Sequence, residues 1–227
     1  MQYVDLNADL GEEVTDDAAL LEVVTSANVA CGYHAGNAAV MRSVCERAAE
    51  LGVTVGAQVS YDDRENFGRA AMDVARDVLR EQVADQVGTL REIAEGAGAA
   101  VAYVKPHGAL YHRVLDDEDQ AQALVEGSDG LAVLTMAGVL ARVAQEAGRT
   151  VWREGFPDRG YDDRGRLVDR SEPGAVLAET ASIVENALGL VSSVDSLCLH
   201  GDTPGAVGHA RAVRAALETA GWALRGL

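Results

Sequence analysis

Short β-branched runs alternate with helix-patterned stretches along nearly the whole chain, and this alternation restricts the fold more than any other property of the sequence. The runs that read as strands are YVDLN (3–7), ANVAC (27–31), VTVGAQ (53–58), AVAYVK (100–105), LAVLTM (131–136), TVWREGF (150–156) and SLCLH (196–200), with WALRG (222–226) as an eighth. Helices are expected between them over 16–26, 37–51, 73–95, 116–126, 139–148, 175–191 and from Pro204 to about Ala220. In the second of these, Val40, Met41, Val44, Cys45, Ala48 and Leu51 recur at three- and four-residue spacing, the stripe of a helix with one buried face. Strict β/α alternation means parallel strands joined by crossover helices. Seven or eight such units in 227 residues fit one closed, distorted (β/α) barrel over residues 1–227 better than an open dinucleotide-type sheet. No GxGxxG follows the first strand, which weighs against that second fold.

In parallel barrels the loops after the strand C-termini carry the chemistry. Here those loops hold Asn7, Asp9 and Glu12 after the first strand, His34 after the second, and Gln58, Tyr61 and Asp62 after the third. Lys105 and His107 follow the fourth strand, Asp158 and Arg159 the sixth, and His200 and Asp202 the seventh. Strand exits are polar in any protein, but GYHAGN and KPHG add more. Glycines flank the histidine in the first, and in the second Pro106 fixes the backbone between two ionisable side chains. His200 and Asp202 precede a helix with Thr203 as its expected N-cap and Pro204 in its first turn, an arrangement suited to an anion. His112 and His209 lack such a context and read as surface or packing histidines.

Composition removes several classes of partner. A formal charge of −17 opposes binding to nucleic acid or anionic membrane. No apolar run approaches the ~20 residues of a bilayer crossing, and the first residues lack the pattern of a signal peptide, so a cytoplasmic protein is expected. Cys31, Cys45 and Cys198 form no CxxC pair, which disfavours both disulfides and a thiolate zinc site. Walker A, HExxH and GxSxG sequences are absent. Lys105 is the single lysine among 19 lysines and arginines. Its retention suits a compact ammonium acting on phosphate or carboxylate, a task for which guanidinium is no substitute. A metal centre from His34, His107 and His200 is compatible with a barrel rim, while Asp9, Glu12 and Asp202 would suit magnesium carried by a nucleotide.

The segments DLNADLGE, VTSANVACGYHAGN, VGAQVSYDDRENFGR, VKPHGALY, FPDRGYDDRGRLVDRSEPGAV and LHGDTPGAV, running from residue 5 to 207, resemble the LamB/YcsF family. The resemblance implies a barrel related to the glycoside hydrolase and polysaccharide deacetylase barrels. It also implies ATP-driven cleavage of 5-oxo-L-proline to L-glutamate, performed as the A subunit beside subunits B and C, with ATP as co-substrate and magnesium accompanying it. Mapped onto that reaction, the catalytic candidates are Asp9, His34, Lys105, His107, His200 and Asp202. Asn7, Glu12, Asn28, Gln58, Tyr61, Arg69, Arg159 and Thr203 are candidates for binding substrate or nucleotide. Lys105 and the amides after His200 would hold phosphate, Asp9, Glu12 and Asp202 would position magnesium or water, and His107, with His34 or His200, would handle protons.

This chain departs from the family pattern at Gln58-Val59, where His-Pro is usual, and at Asn37, where Asp is usual. Glutamine hydrogen-bonds but carries no proton at neutral pH. Two further readings therefore stand beside the first: a metal-dependent amidohydrolase or deacetylase that needs no ATP, and a binding subunit with impaired catalysis. A homo-oligomer is compatible with each.

Overall fold

The computed structural model describes residues 2–227. Its elements follow the expected order: β1 (Gln2–Leu10), α1 (Asp17–Leu21), β2 (Ser26–Ala30), α2 (Ala38–Leu51), β3 (Thr54–Val59), α3 (Arg76–Gly96) and β4 (Val101–Pro106). Then come α4 (Gly108–Val114), α5 (Glu118–Gly127), β5 (Ala132–Thr135), α6 (Val139–Glu146), β6 (Val151–Gly155), α7 (Thr180–Leu190), β7 (Ser196–Leu199), α8 (Ala206–Thr219) and β8 (Trp222–Leu224). Strands β1 to β7 pair in parallel and in sequence order, and β1 closes the ring. One edge of β1 pairs Asp5–Ala8 with Ser196–Leu199 of β7, while Asn7–Leu10 pairs with Ser26–Val29 of β2. The eighth strand lies outside this ring and extends the sheet along the start of β1, from Gln2 to Val4. Among the described residues, no helix is long and apolar enough to cross a membrane.

Side chains alternate across each strand, so every strand feeds two different layers. The outward set, such as Leu6, Ala8 and Leu10 of β1 and Val29 of β2, packs beneath the helices in a continuous hydrophobic core. The lumen is polar instead. Asp5, Asn7 and Asp9 of β1, Ser26 and Asn28 of β2, Gln58 of β3, Tyr103 and Lys105 of β4, Glu154 of β6 and Ser196 of β7 are all buried. Tyr103 fills the ring opposite Gly56, where an added Cβ would come within 2.2 Å of the tyrosine ring.

Several boundaries differ from expectation for local reasons. β1 runs on to Leu10, so Asn7 and Asp9 belong to the strand itself. The helix expected over 16–26 ends at Leu21 because Thr25 turns back to bond Asp5 Oδ1 and the Leu6 amide. The segment after β4 forms α4 rather than a loop. α8 is not capped by Thr203: its N-cap is Gly205, at φ +84°, a left-handed conformation natural to glycine. The Thr203 carbonyl closes a turn onto the Ala206 amide instead. Asn37 caps α2, accepting from the amides of Ala39 and Val40, a role an aspartate performs equally well.

Candidate active site

The inward ladders of β1, β4, β6 and β7 end at the C-terminal mouth of the barrel. Lys105 Nζ donates to Asp9 Oδ1 at 2.6 Å, and both side chains are at most 3% exposed. Asn28 Nδ2 donates to the same oxygen at 2.9 Å and to Asn7 Oδ1 at 2.7 Å. Asn28 is fixed in turn by the Tyr103 hydroxyl, which donates to its Oδ1 at 2.6 Å, and Asn7 Nδ2 reaches Ser196 Oγ at 2.6 Å. Burial alone would push the Asp9 carboxyl up. The Lys105 ammonium, with His200 and His107 farther off, reverses this and holds it well below the usual carboxylate range. Glu154 lies 3.8 Å from Lys105 Nζ and accepts from the Tyr111 hydroxyl at 2.9 Å. Its burial pushes the carboxyl up to about 7, against the pull of Lys105.

A second unit stands beside this pair. His200 Nδ1 lies 3.0 and 3.1 Å from the two carboxylate oxygens of Asp158, and the His200 amide donates to Asp158 Oδ2 at 2.9 Å. A carboxylate on Nδ1 fixes the proton there and leaves Nε2 as the basic edge of the ring. Burial raises the Asp158 carboxyl, and the adjoining His200 more than offsets it, so Asp158 titrates below its usual range. Phe156 stacks on the imidazole, with centroids 5.3 Å apart and planes at 19°.

Asp9, Lys105, His107, Phe156 and His200 line one cavity together with Arg69, Tyr111, His112, Arg159 and Arg170. Asp202 holds two of these arginines, accepting from Arg69 Nη2 at 2.5 Å and Arg170 Nη1 at 3.3 Å. The mouth thus gathers three arginines and the one lysine in a protein that is strongly acidic overall.

Glu12, His34, Gln58 and His107 form a third unit. The two imidazoles stack with centroids 3.9 Å apart, and Phe67 presents its edge or face to both. His34 Nε2 and His107 Nδ1 each lie 3.4 Å from Glu12 Oε1. Gln58 Nε2 is 2.9 Å from Glu12 Oε1 and 2.9 Å from His107 Nδ1. Burial and the neighbouring His34 push the His107 imidazole well below its usual range, so it is neutral.

The sequence candidates thus separate. Asp9, Lys105, His107, His200, Arg69 and Arg159 line the cavity. His34 stacks against His107 and Glu12 lies 3.4 Å from its Nδ1, neither lining the cavity, and Asn7, Asn28 and Gln58 support the carboxylates by hydrogen bonds. Tyr61 does not line the cavity: its hydroxyl donates to Gln120 Oε1 at 2.8 Å, within the α3–α5 side of the core. Thr203 lies in a separate outer depression with Thr15 and Gly205. Arg159 spends its guanidinium on the carbonyls of Ala175 and Val168, where it anchors the loop after β6. Among the described residues, the one group of three or more histidines, cysteines or carboxylates with donor atoms within 4.8 Å of one another is Glu12, His34 and His107. Neither Asp9–Glu12–Asp202 nor His34–His107–His200 is assembled as a cage. His209 packs as expected, bonded to Thr180 and the Pro204 carbonyl.

Glu154, Tyr111, Phe156 and Arg170 were not singled out from the sequence. Glu154 had a readable signal, because it is a carboxylate inside a strand-patterned run, just ahead of the exit that holds Asp158. Arg170 had a weaker one: it lies in the long loop after β6, among several arginines that the sequence alone does not tell apart.

Fold and site together define a parallel (β/α)-barrel protein with a charged, buried lumen and acid–base groups at its C-terminal mouth. The chain belongs to the LamB/YcsF family, whose model matches residues 4–227. It is 54% identical to the 5-oxoprolinase A subunit of Streptomyces coelicolor over 242 aligned residues, covering 96% of this chain and 97% of that one. Its identity to the 5-oxoprolinase A subunit of Mycobacterium avium is 49%, over 99% of each chain. Among solved structures, the lactam utilization protein of Thermus thermophilus superposes with a TM-score of 0.92 at 33% identity, covering 100% of both chains. The Xyl-CE4 domain of a multidomain xylanase superposes with a TM-score of 0.61 at 12% identity, over 100% of this chain and 87% of that one, a likeness of fold alone.

Proposed function

We propose that this chain is the A subunit of an ATP-dependent 5-oxoprolinase, opening the ring of 5-oxo-L-proline to L-glutamate in company with subunits B and C. The curated relatives at about half identity carry that name. The observation that carries the reading is the pairing of a buried ammonium, Lys105 on Asp9, with an Asp158–His200 base under two arginines. A five-membered lactam is a stabilised amide, so its opening needs a base for water, a cation for the developing oxyanion and an external driving force.

The base and the cation each have a residue here, and ATP supplies the driving force. Arg69 and Arg170, steadied by Asp202, suit the carboxylate of the substrate. Lys105 Nζ, aimed by Asp9, faces negative charge developing on the lactam oxygen, or phosphate placed on that oxygen. His200 Nε2 takes the proton of the attacking water and returns it to the ring nitrogen as the C–N bond breaks, with Asp158 holding the imidazolium; where the oxygen carries phosphate from ATP, the opened product is an acyl phosphate, and a second water releases inorganic phosphate and leaves the glutamate carboxylate. His107 is not suited to proton transfer, because Nδ1 meets the Gln58 amide and Nε2 meets the Phe67 carbonyl at 3.0 Å. Asp9 and Asp202 are committed to Lys105 and to arginines, so the donor set does not fit a magnesium cage. ATP and its ion are co-substrates of the assembly, and no acid of this chain is assigned to them.

The test is glutamate and ADP release from 5-oxoproline and ATP, with this chain combined with subunits B and C. Equal yields of both products that vanish on omitting this chain are expected. No glutamate from the full assembly overturns the reading, and glutamate without ATP overturns its nucleotide requirement.

A further inference from the structure

Two imidazole edges and a carboxylate oxygen converge in the Glu12–His34–His107 cluster, and hydrogen bonds behind them determine which ring nitrogens carry protons. Ser60 Oγ donates to the Tyr61 carbonyl at 2.8 Å, so its 3.0 Å contact with His34 Nδ1 is one it accepts. That places the proton of His34 on Nδ1 and leaves Nε2 as a lone pair. His107 Nε2 lies 3.0 Å from the Phe67 carbonyl, which accepts only, so His107 keeps its proton there and Nδ1 is a lone pair. Both lone pairs face Glu12 Oε1. His34 Nε2 is fully buried yet has no hydrogen-bond partner, and Gln58 Oε1, also buried, has none either.

The Gln58 amide hydrogens answer Glu12 Oε1 and His107 Nδ1, but nothing answers the His34 Nε2 lone pair, which a cation among the three acceptors would satisfy together with the other two. The spacing of each nitrogen from Oε1 suits one, since ligands about 2.0–2.1 Å from a tetrahedral ion lie roughly 3.3–3.4 Å apart, and the stacked rings, 14° from parallel, would tilt for both lone pairs to reach it. Both nitrogen-to-Oε1 distances are 3.4 Å. The backing of each imidazole by a hydroxyl or carbonyl is the arrangement that orients metal-bound histidines.

We propose that Glu12, His34 and His107 form a buried site for a divalent transition-metal ion of the zinc type, with Gln58 as a switchable fourth ligand. Without the ion, the Gln58 amide hydrogens bridge Glu12 and His107. A half-turn of the carboxamide replaces Nε2 with the unpartnered Oε1 and supplies a neutral oxygen donor. Two nitrogens in the set disfavour magnesium, which prefers oxygen and water. The ligands follow β1, β2 and β4, and Gln58 ends β3, so the ion ties four adjacent strand exits beneath Phe67. The site stands apart from the lactam reading, since metal content is measured without substrate.

The test starts from the chain stripped with a chelator and dialysed against Zn²⁺, Mn²⁺ or Mg²⁺, with retained metal determined by mass spectrometry. One zinc per chain, no magnesium and a higher melting temperature with zinc are expected. Glu12→Gln, close in shape to the parent, should weaken zinc by ~100-fold or more, beyond the 10–100-fold typical of lost outer-shell partners. Gln58→His should tighten it about tenfold, and His209→Ala should leave it unchanged. Should Glu12→Gln fail to fold, cobalt in the parent chain gives an independent readout, with a tetrahedral visible spectrum and two imidazole ligands by X-ray absorption. A proton on His34 Nε2 is the competing occupant, and it requires that no zinc be retained. That result overturns the site, as would equal retention by folded Glu12→Gln, loss through His209→Ala, or a cobalt spectrum without imidazole ligands.

Discussion

Lys105→Met removes the cation from Asp9 while keeping most of the apolar stem. In the parent, the two groups are 2.6 Å apart and at most 3% exposed. After the change, Asp9 keeps the Asn28 amide but no full positive charge in contact, and Glu154 loses its neighbour at 3.8 Å. Stripping one partner from a buried ion pair costs about 3–5 kcal/mol, and that is the expected loss at pH 8. The pH dependence follows from the direction of each shift. In the parent, Asp9 is depressed, so its contribution is full above the ordinary aspartate range and falls away only in strong acid. In the variant, burial acts unopposed and Asp9 titrates high, so protonation relieves the loss as the pH falls. Each pH unit over which one group binds a proton in only one state changes stability by about 1.4 kcal/mol, so the deficit should shrink by roughly 1–2 kcal/mol between pH 8 and 5.5. Urea unfolding of parent, Lys105→Met and the double variant Lys105→Met/Asp9→Asn measures this, and the double variant should be more stable than the single at pH 8. A deficit equal at both pH values, or a double variant no better than the single, refutes the account.

Gly56→Ala should cost about 1–3 kcal/mol or more by urea unfolding, because its Cβ would fall 2.2 Å from the Tyr103 ring; a loss under 0.5 kcal/mol would contradict the packing. Asp158→Asn should lower kcat for glutamate release about 10²–10⁴-fold with little change in KM, by unsettling the His200 tautomer; an unchanged kcat would remove His200 as the base. Asn37→Asp should be nearly neutral in unfolding experiments and Asn37→Ala should cost about 1 kcal/mol, whereas equal effects of the two would remove the α2 cap from the account.

The barrel was legible because β/α alternation follows from parallel pairing itself, and the strand exits were legible because His34, His107 and His200 each punctuate one. The polar lumen was harder to see. AVAYVK and TVWREGF pass for ordinary buried runs until their residues are split by parity, which sends Tyr103, Lys105 and Glu154 inward and their neighbours toward the helices. Tyr61 was misplaced because position after a strand does not say which way a long side chain turns, and here Gln120 supplies its partner. Thr203 was misplaced because the chain has a glycine two residues on, able to take the left-handed turn that starts α8. The division of the histidines into one paired with Asp158 and a stacked pair beside Glu12 depends on partners far apart in sequence, which local patterns do not encode.

The closing strand gives the molecule an order of assembly. Asn7 waits for Ser196, 189 positions later, before its amide finds its partner, and the β1 carbonyl of Val4 waits for Arg225. Because β1 pairs with both β2 and β7, the ring has a seam that only Ser196–Leu199 can close. Pairings between segments so far apart in sequence form slowly, so closure of that seam, with the buried polar contacts that depend on it, is expected as a late step in folding.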